Sequence, residues 1–154
     1  MRSIVCSILL SLILYNNAYC NDKTPEQFIY EFYQWYLDTD SIDTPAEQHD
    51  EIYTYVSKDL VDRIRKEMLD FNLNVSYFTK VGEFPFGPEK IQITVHKSLK
   101  MRNNLFIAHV TLCKKIDAEN FTYDVIVILK KIKDRFYISS VIDVYPDIFE
   151  EIAQ

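Results

Sequence analysis

The chain has 154 residues and a formal net charge of −6, from 17 Lys and Arg against 23 Asp and Glu. We interpret the chain as acidic without a Lys/Arg cluster, and such a chain is expected to be repelled by phosphate backbones and by anionic lipid surfaces. Nucleic acid and membrane surfaces are therefore excluded as expected partners, while a basic protein remains a candidate.

The amino terminus predicts a secretory signal peptide over residues 1–20. Arg2 precedes an apolar run from Ile4 to Leu14, and two small residues, Ala18 and Cys20, stand where a signal peptidase cutting after Cys20 requires them. The run is shorter than the roughly 20 residues that cross a bilayer, so the segment is expected to be removed rather than to anchor the chain. Residues 21–154 then form a single periplasmic or secreted domain without a membrane span.

The cysteines exclude a disulfide framework. A cut after Cys20 leaves Cys113 as the single mature thiol, and only a cut after Ala18 would keep Cys20 as a pairing partner. Lipidation at Cys20 is disfavoured because the bulky Tyr19 precedes it. A lone thiol is uncommon in an exported chain, so we expect Cys113 to be buried and inert.

Three helices are predicted in the first half of the mature chain. Residues 24–27 (Thr-Pro-Glu-Gln) form a capping-box start with Pro at the first helical position. Residues 44–47 (Thr-Pro-Ala-Glu) repeat this signal for a second helix, and Ser57 can cap a third. The apolar positions of the first helix cover most of its circumference, so it is expected to be nearly enclosed. The predicted buried positions are Phe28, Ile29, Phe32, Tyr33, Trp35, Tyr36 and Leu37 in the first helix, Ile52, Tyr53 and Val56 in the second, and Leu60, Val61, Ile64, Met68 and Leu69 in the third.

The second half of the chain predicts strands. Residues 71–90 hold both glycines and several aromatic residues, which is typical of a loop that folds back over the edge of a core. Four segments of period-two alternation follow, joined by short polar connections, and predict an antiparallel meander. Pro146 then opens a short terminal helix. The predicted fold class is α+β, with the N-terminal helices packed on one face of a curved four-stranded antiparallel sheet. The predicted inward positions are Ile91, Ile93 and Val95; Phe106, Ala108, Val110 and Leu112; Phe121, Tyr123, Val125, Val127 and Leu129; and Phe136, Ile138, Ser140, Ile142 and Val144.

Four segments carry a resemblance to a known family. They are PE and FYQWYL within residues 25–37, YVSKDL at 55–60, YFTK at 77–80 and YISSV at 137–141. In these segments the chain resembles a bacterial family of small exported proteins of unknown function, some of them lipoproteins, with a cystatin-like or nuclear-transport-factor-two-like fold. The resemblance covers nearly the whole mature chain, and its motifs are core-forming, so it implies a cystatin-like cone rather than an activity. Some proteins of this general type are immunity factors for secreted cell-wall-degrading toxins, which implies a toxin-neutralising role by analogy.

The candidates for catalysis are five polar residues of the predicted strands. They are His96, His109, Cys113, Asp124 and Asp143. Period-two alternation places all five on the face away from the helices, whereas an enclosed acid–base site needs the reverse. Four strand residues also separate Cys113 from His109 by roughly 13 Å, far beyond the roughly 3 Å of a hydrogen bond. We therefore expect no enzymatic activity, and the absence of a phosphate loop or a zinc spacing predicts no cofactor.

The face of the sheet away from the helices is predicted to mix apolar and polar side chains. A one-sided sheet normally keeps its exposed face polar, so this mixture predicts that a second copy or another protein covers it. The alternative is that β-branched residues favour strands on either face. The apolar members are Ile107, Ile126, Ile128, Tyr137 and Val141, and they share the face with Thr94, Thr111 and Thr122.

An acidic stretch from Asp38 to Glu51 raises the question of calcium or of a basic partner. The calcium-loop pattern needs Gly at its sixth position and Glu at its twelfth, where this chain has Asp43 and His49. We therefore expect no metal, and some of these acids fit the starts of helices instead. The residues predicted to contact a protein partner are Asp38, Asp40, Asp43, His109 and Tyr137.

An aromatic set predicts an alternative function. Tyr33, Trp35 and Tyr36 could line a pocket at the mouth of the cone, with Tyr77 and Phe78 as its lid, and hold a small apolar ligand. Such a stripe is more often simply core. The leading hypothesis is an exported, non-enzymatic binding protein whose partner is another protein, either a basic effector or a second copy. A ligand carrier is the alternative, and an enzyme comes third.

Overall fold

A computed structural model describes residues 23–41, 44–71, 76–80, 91–116 and 119–144. Two α-helices, α1 (Pro25–Thr39) and α2 (Lys58–Phe71), pack on one face of an open antiparallel sheet. The strands are β1 (Gln92–Val95), β2 (Leu99–Lys100), β3 (Leu105–Ile116), β4 (Glu119–Ile132) and β5 (Arg135–Asp143). The α+β prediction is thus confirmed. The predicted signal peptide, the helix after Pro146 and most of the aromatic loop lie outside the described residues.

Helix α1 begins as its sequence predicts. Thr24 Oγ1 accepts a hydrogen bond from the Gln27 backbone N–H at 3.2 Å, and Gln27 Oε1 accepts one from the Thr24 N–H at 3.0 Å. The helix is less enclosed than predicted: Trp35 and Leu37 are only partly buried, and Tyr30 is 42% exposed. Its fully packed face consists of Phe28, Ile29, Phe32, Tyr33 and Tyr36.

The segment predicted as the second helix is helical, but it is not one continuous helix. The segment instead forms two short 3₁₀ helices, Ala46–Gln48 and Asp50–Thr54. The Arg65 guanidinium of α2 donates hydrogen bonds to the carbonyl oxygens of Glu47 (2.8 Å) and His49 (3.2 Å). The His49 carbonyl also accepts from the Ile52 N–H at 3.3 Å, which is the three-residue spacing of a 3₁₀ turn, so Arg65 ties these short helices to α2.

Helix α2 buries a narrower stripe than predicted. Leu60, Val61 and Ile64 are buried and Met68 is partly buried, but Leu69 is 86% exposed. At 3.6 residues per turn, Leu69 lies roughly 120° around the helix from the centre of that stripe, so it faces water.

The sheet has the order β1-β3-β4-β5, and the short β2 also pairs with β3. The four predicted strands are therefore present, and β2 is an addition of two residues that alternation alone did not reveal. Buried residues of β3 and β4 face the helices in register, with Val110 opposite Val125 and Ala108 opposite Val127. A parallel bridge between Val56 and Ile138 ties the segment before α2 to β5.

A β-bulge in β5 reverses the predicted alternation of its second half. Ile128 pairs with Ser140 and Leu129 with Ile138, so Ser139 has no partner in β4, and its hydroxyl donates to the Ile128 carbonyl at 3.1 Å. An extra residue shifts the phase of a strand by one. As corrections, Val141 is buried instead of outward, and Ile142 is 50% exposed instead of inward. Asp143 changes face with them, since it pairs with the buried Val125.

Two tight turns lie side by side at one end of the sheet. The β2–β3 turn has positive φ at Asn103 (60°) and Asn104 (56°), and the β4–β5 turn has it at Lys133 (46°) and Asp134 (65°). Two-residue turns with both residues left-handed match the twist of the strands that they join. The Lys131 N–H donates to the Asn104 carbonyl at 2.9 Å and fixes one turn against the other.

Candidate functional site

The outer face of the sheet, opposite the helices, presents a bonded polar cluster. His109 Nε2 lies 2.7 Å from Asp124 Oδ1, and the Thr111 hydroxyl donates to the same oxygen at 2.6 Å. The His96 ring stacks on His109 with centroids 4.5 Å apart and an angle of 9° between the planes, and its Nε2 lies 3.2 Å from Thr111 Oγ1. Strand register builds this cluster: Thr111 pairs with Asp124, which places His109 diagonally across from the carboxylate. Alternation predicted the shared face, but not these contacts.

Apolar side chains surround the cluster on the same face. Ile107, Ile126 and Ile128 are half-buried neighbours on β3 and β4, since Ile107 pairs with Ile128. Leu99 pairs with Ile107 and is 66% exposed, which extends the apolar surface onto β2. The bulge adds Ile142 to this face in place of Val141. The described part of the face therefore combines an exposed apolar surface with hydrogen-bonded polar groups.

Cys113 lies on the outer face rather than in the core, so its predicted burial needs correction. It is half-buried, and the Thr122 hydroxyl donates to its Sγ at 3.9 Å. Four of the five catalytic candidates do share the outer face, as predicted. Asp143 does not, because the bulge turns it towards the side of the sheet that carries Val125. The expectation of no enzymatic activity stays a prediction.

The aromatic set predicted to bind a ligand is packed together. Tyr33, Tyr36 and Phe78 are fully buried, and the Tyr33 hydroxyl donates to the Phe78 carbonyl at 2.9 Å. Trp35 stacks on Tyr55 at 5.3 Å, and Tyr77 contacts Phe78 edge-on at 5.2 Å. Burial raises the pKa of the Tyr33 hydroxyl. The structure places these rings in or beside the core, and their ligand role stays a prediction.

A buried carboxylate stands beside this aromatic set. The Tyr36 hydroxyl donates to Glu47 Oε1 at 2.7 Å and contacts Ser76 Oγ at 2.7 Å. Burial raises the pKa of Glu47, while the hydrogen bond from Tyr36 opposes the rise. Glu47 thus belongs to the interior and not to an acidic surface, which nothing in its sequence neighbourhood signals.

The acidic residues predicted to contact a partner differ in their exposure and in their hydrogen bonds. Asp38 is exposed at the end of α1. Asp40 accepts a hydrogen bond from the Ala46 N–H at 3.0 Å, and burial raises its pKa. Asp43 lies outside the described residues. Tyr137 is half-buried on β5, with the Arg135 guanidinium 5.7 Å from its ring centroid.

The basic run Lys-Lys-Ile-Lys-Asp-Arg at residues 130–135 becomes part of a larger basic end in the folded protein. The two adjacent turns bring together cations from residues 100–102 and 130–135, most of them exposed, against a net negative charge for the whole chain. Lys131 and Asp134 form an ion pair at 3.7 Å within this group. The remaining members are Lys100, Arg102, Lys130, Lys133 and Arg135. The premise that the chain has no Lys/Arg cluster is therefore wrong: residues 130–135 hold four cations in the sequence, and folding adds Lys100 and Arg102 to them.

The class of molecule that emerges is a small α+β protein with an open, partly apolar sheet face. A chain in the crystal structure of the type VI native effector–immunity complex Tae3–Tai3 from Ralstonia pickettii has this fold. It superposes with a TM-score of 0.65 at 26% sequence identity, covering 80% of this chain and 97% of that one. A chain in the selenomethionine form of the complex gives a TM-score of 0.62 at 24% identity, covering 79% and 98%, and shows the fold alone.

No protein-family model and no curated protein matches this chain. The resemblance to the bacterial family of exported proteins therefore stays a prediction. Within the residues that the structure describes, no helix is both long and apolar enough to cross a bilayer.

Proposed function

We propose that this chain is an exported immunity protein, which binds a protein toxin and blocks its action without any catalysis of its own. The observation that carries the proposal is the match over 97% of the length of a chain from an effector–immunity complex. Because a fold by itself does not define a function, the proposal rests also on the chemistry and the shape of the outer face.

The similar chain comes from a complex of an effector with its immunity protein, and the polar groups of the outer face favour the immunity protein's role for this chain. A nucleophilic thiol needs a base within hydrogen-bond reach, yet Cys113 contacts the Thr122 hydroxyl and lies four residues along β3 from His109, a separation of roughly 13 Å. A binding surface, in contrast, benefits from polar groups that are already oriented by one another, since less ordering is needed when the partner binds.

The layout of the outer face suits a protein partner. Protein interfaces combine an apolar centre with hydrogen-bonding groups, and a few central residues carry most of the binding energy. Here Ile107, Ile126 and Ile128 adjoin the stacked pair His96 and His109. We therefore propose this face as the contact surface, with the predicted periplasmic or secreted location as part of the same proposal.

Two linked measurements test the proposal. The mature chain, residues 21–154, is immobilised and used to capture protein from envelope and secreted fractions of its source. The captured protein is then expressed with an export signal in a laboratory bacterium, with and without this chain. We expect growth arrest by the captured protein alone and recovery on co-expression. A captured protein that is harmless, or whose toxicity this chain leaves unchanged, would contradict the immunity role.

A matched pair of variants tests the surface. Ile126→Glu places a charge in the centre of the outer face and should weaken binding of the captured toxin by about 100-fold or more, because charged groups are excluded from interface centres. Leu69→Glu makes the same chemical change at an exposed site on α2 and should leave affinity unchanged. Thermal unfolding checks that both variants are folded. Equal affinity of the two variants for the captured toxin would show that the outer face is not the interface.

A second copy of the chain is the other candidate occupant of the outer face. Sedimentation analysis of the same two variants decides between the occupants. A dimer that Ile126→Glu dissociates, together with unchanged toxin binding, would make this face a self-interface.

A further inference from the structure

An open groove of about 300 Å³ lies where the start of α2 meets the β4–β5 hairpin. One wall consists of Asp59, Leu60 and Arg63 from α2, and the other of Lys130, Ile132 and Tyr137 from the hairpin. Lys130 and Tyr137 face each other across the β4–β5 register, so the groove begins at the β5 margin of the outer face.

The groove is positively charged in a chain that is negative overall. Among the described residues that line the groove, Arg63 and Lys130 are the cations and Asp59 is the acid, and the basic end of the sheet continues from Lys130. The present contacts of Arg63 are loose: its Nε lies 4.0 Å from Glu67, and its Nη2 donates to the Tyr77 hydroxyl at 3.4 Å. Exposed pairs of this kind contribute little, so the guanidinium is able to turn to a better acceptor.

The apolar part of the groove narrows the class of ligand. Leu60 is buried, whereas Ile132 is 43% exposed, so an incoming apolar group would cover Ile132. A free inorganic anion would use the cations and gain nothing from these two side chains. A peptide with a carboxylate next to an apolar side chain would use both, because guanidinium groups bind carboxylates in a bidentate manner and burial of Ile132 adds a hydrophobic contribution.

We propose that this groove binds an acidic loop of a partner protein, with a carboxylate at Arg63 and Lys130 and an adjoining apolar side chain on Ile132. This inference rests on the proposed function, since the partner is the same toxin, and it adds the chemistry of one contact. It also reverses the expectation of a basic partner surface at this end of the molecule, because the groove selects for acidic groups.

The test uses defined peptides and the ¹⁵N-labelled mature chain, followed by NMR. The probe is acetyl-Leu-Asp-Glu-Leu-amide, and its matched control is the neutral isostere acetyl-Leu-Asn-Gln-Leu-amide. We expect the acidic peptide to shift the Arg63 Nε–H and the amides of Ile132 and Tyr137, with a dissociation constant of about 1 mM. The neutral peptide should bind about tenfold more weakly, and raising the salt concentration to about 0.5 M should weaken the acidic peptide further.

Charge reversal locates the contact. Lys130→Glu should weaken the acidic peptide by about tenfold or more. Lys115→Glu, at the opposite end of the β3–β4 hairpin, should have no effect. Equal binding of both peptides, equal effects of the two variants, or shifts at cations all over the surface would overturn the proposal. The titration needs no toxin, so its failure would leave the capture and rescue result standing, and a failed capture would leave the titration readable.

Discussion

The hydroxyl of Tyr36 provides a sharp test of how the interior is held together. Tyr36→Phe keeps the ring and its packing, so no cavity forms, but it removes the donor to Glu47 and the contact with Ser76. A hydrogen bond to a charged group contributes about 1.5–3 kcal/mol, and a neutral one about 1 kcal/mol. Part of the second contact is recoverable because Ser76 Oγ also accepts from the Phe78 and Thr79 N–H groups. We expect Tyr36→Phe to lower the free energy of unfolding by about 2–3 kcal/mol at neutral pH.

The pH dependence identifies the carboxylate as the cause. Burial raises the pKa of Glu47 above its ordinary value of 4.5, so protonation favours the folded state. The stability contributed by this group is therefore complete below about pH 4.5 and declines as the pH rises through the raised pKa. The difference between wild type and Tyr36→Phe should shrink at acid pH, where Glu47 is neutral. In Glu47→Gln this part of the pH dependence should disappear.

Urea unfolding followed by fluorescence measures these effects. Trp35 is the single tryptophan, and its stacking on Tyr55 makes it a reporter of the packed helix. Tyr30→Phe is the matched control, because this tyrosine lies on the same helix and is 42% exposed, so the loss of its hydroxyl should cost less than about 0.5 kcal/mol. A loss of that small size for Tyr36→Phe, or no coupling to Glu47→Gln in a double-mutant cycle, would refute the reasoning.

Three further changes test other parts of the structure. Lys133→Asn should raise the free energy of unfolding by about 1 kcal/mol in urea titrations, because Asn tolerates the left-handed conformation at φ 46° better than Lys does; a loss of stability would contradict this. Arg65→Ala should cost about 2 kcal/mol and speed amide exchange over residues 46–54, because it removes the donor to two carbonyls and to the Tyr53 hydroxyl. Arg65→Lys should not restore protection from amide exchange, because an ammonium group lacks the planar set of N–H donors that a guanidinium group has. Full restoration by Lys would show that the charge alone is sufficient. Burial raises the pKa of Glu26, but hydrogen bonds from Ser98 outweigh it and hold the pKa at about 2. Wild type should therefore lose stability as the pH falls from about 4.5 to about 2, and Glu26→Gln should lose less over that range; identical acid titrations would place the effect elsewhere.

Local interactions explain the parts of the fold that are predictable from sequence. The start of α1 depends on contacts between residues three apart, and the inward faces of β3 and β4 depend on alternation within each strand. Both signals are complete within a few residues, so nothing distant needs to be known. The outer face was predictable for the same reason: four of the five residues considered for catalysis lie on it, as the alternation within their own strands predicts.

The failed predictions depend on contacts between distant segments. The 3₁₀ helices are joined to α2 by Arg65, which donates to carbonyls 16 and 18 residues before it. The inward and outward positions of β5 exchange after Ser139, because this extra residue has no partner in β4 while β5 pairs with β4 on both sides of it. The sequence of β5 alone does not reveal where such a register shift occurs. Glu47 stands in a sequence of exposed acids, yet tertiary packing encloses it beside Tyr36.

By itself, the sequence determined an α+β domain with helices on one side of an antiparallel sheet, because periodicity and capping are written into short segments. Only the tertiary structure decided which side chains act together. Strand register joined His109 to Asp124, and two turns about 30 residues apart along the chain assembled the basic end. The groove between Arg63 and Lys130 exists because α2 packs beside the β4–β5 hairpin. Each of these sites is formed by segments that are distant in the sequence, so it exists only once the chain has packed.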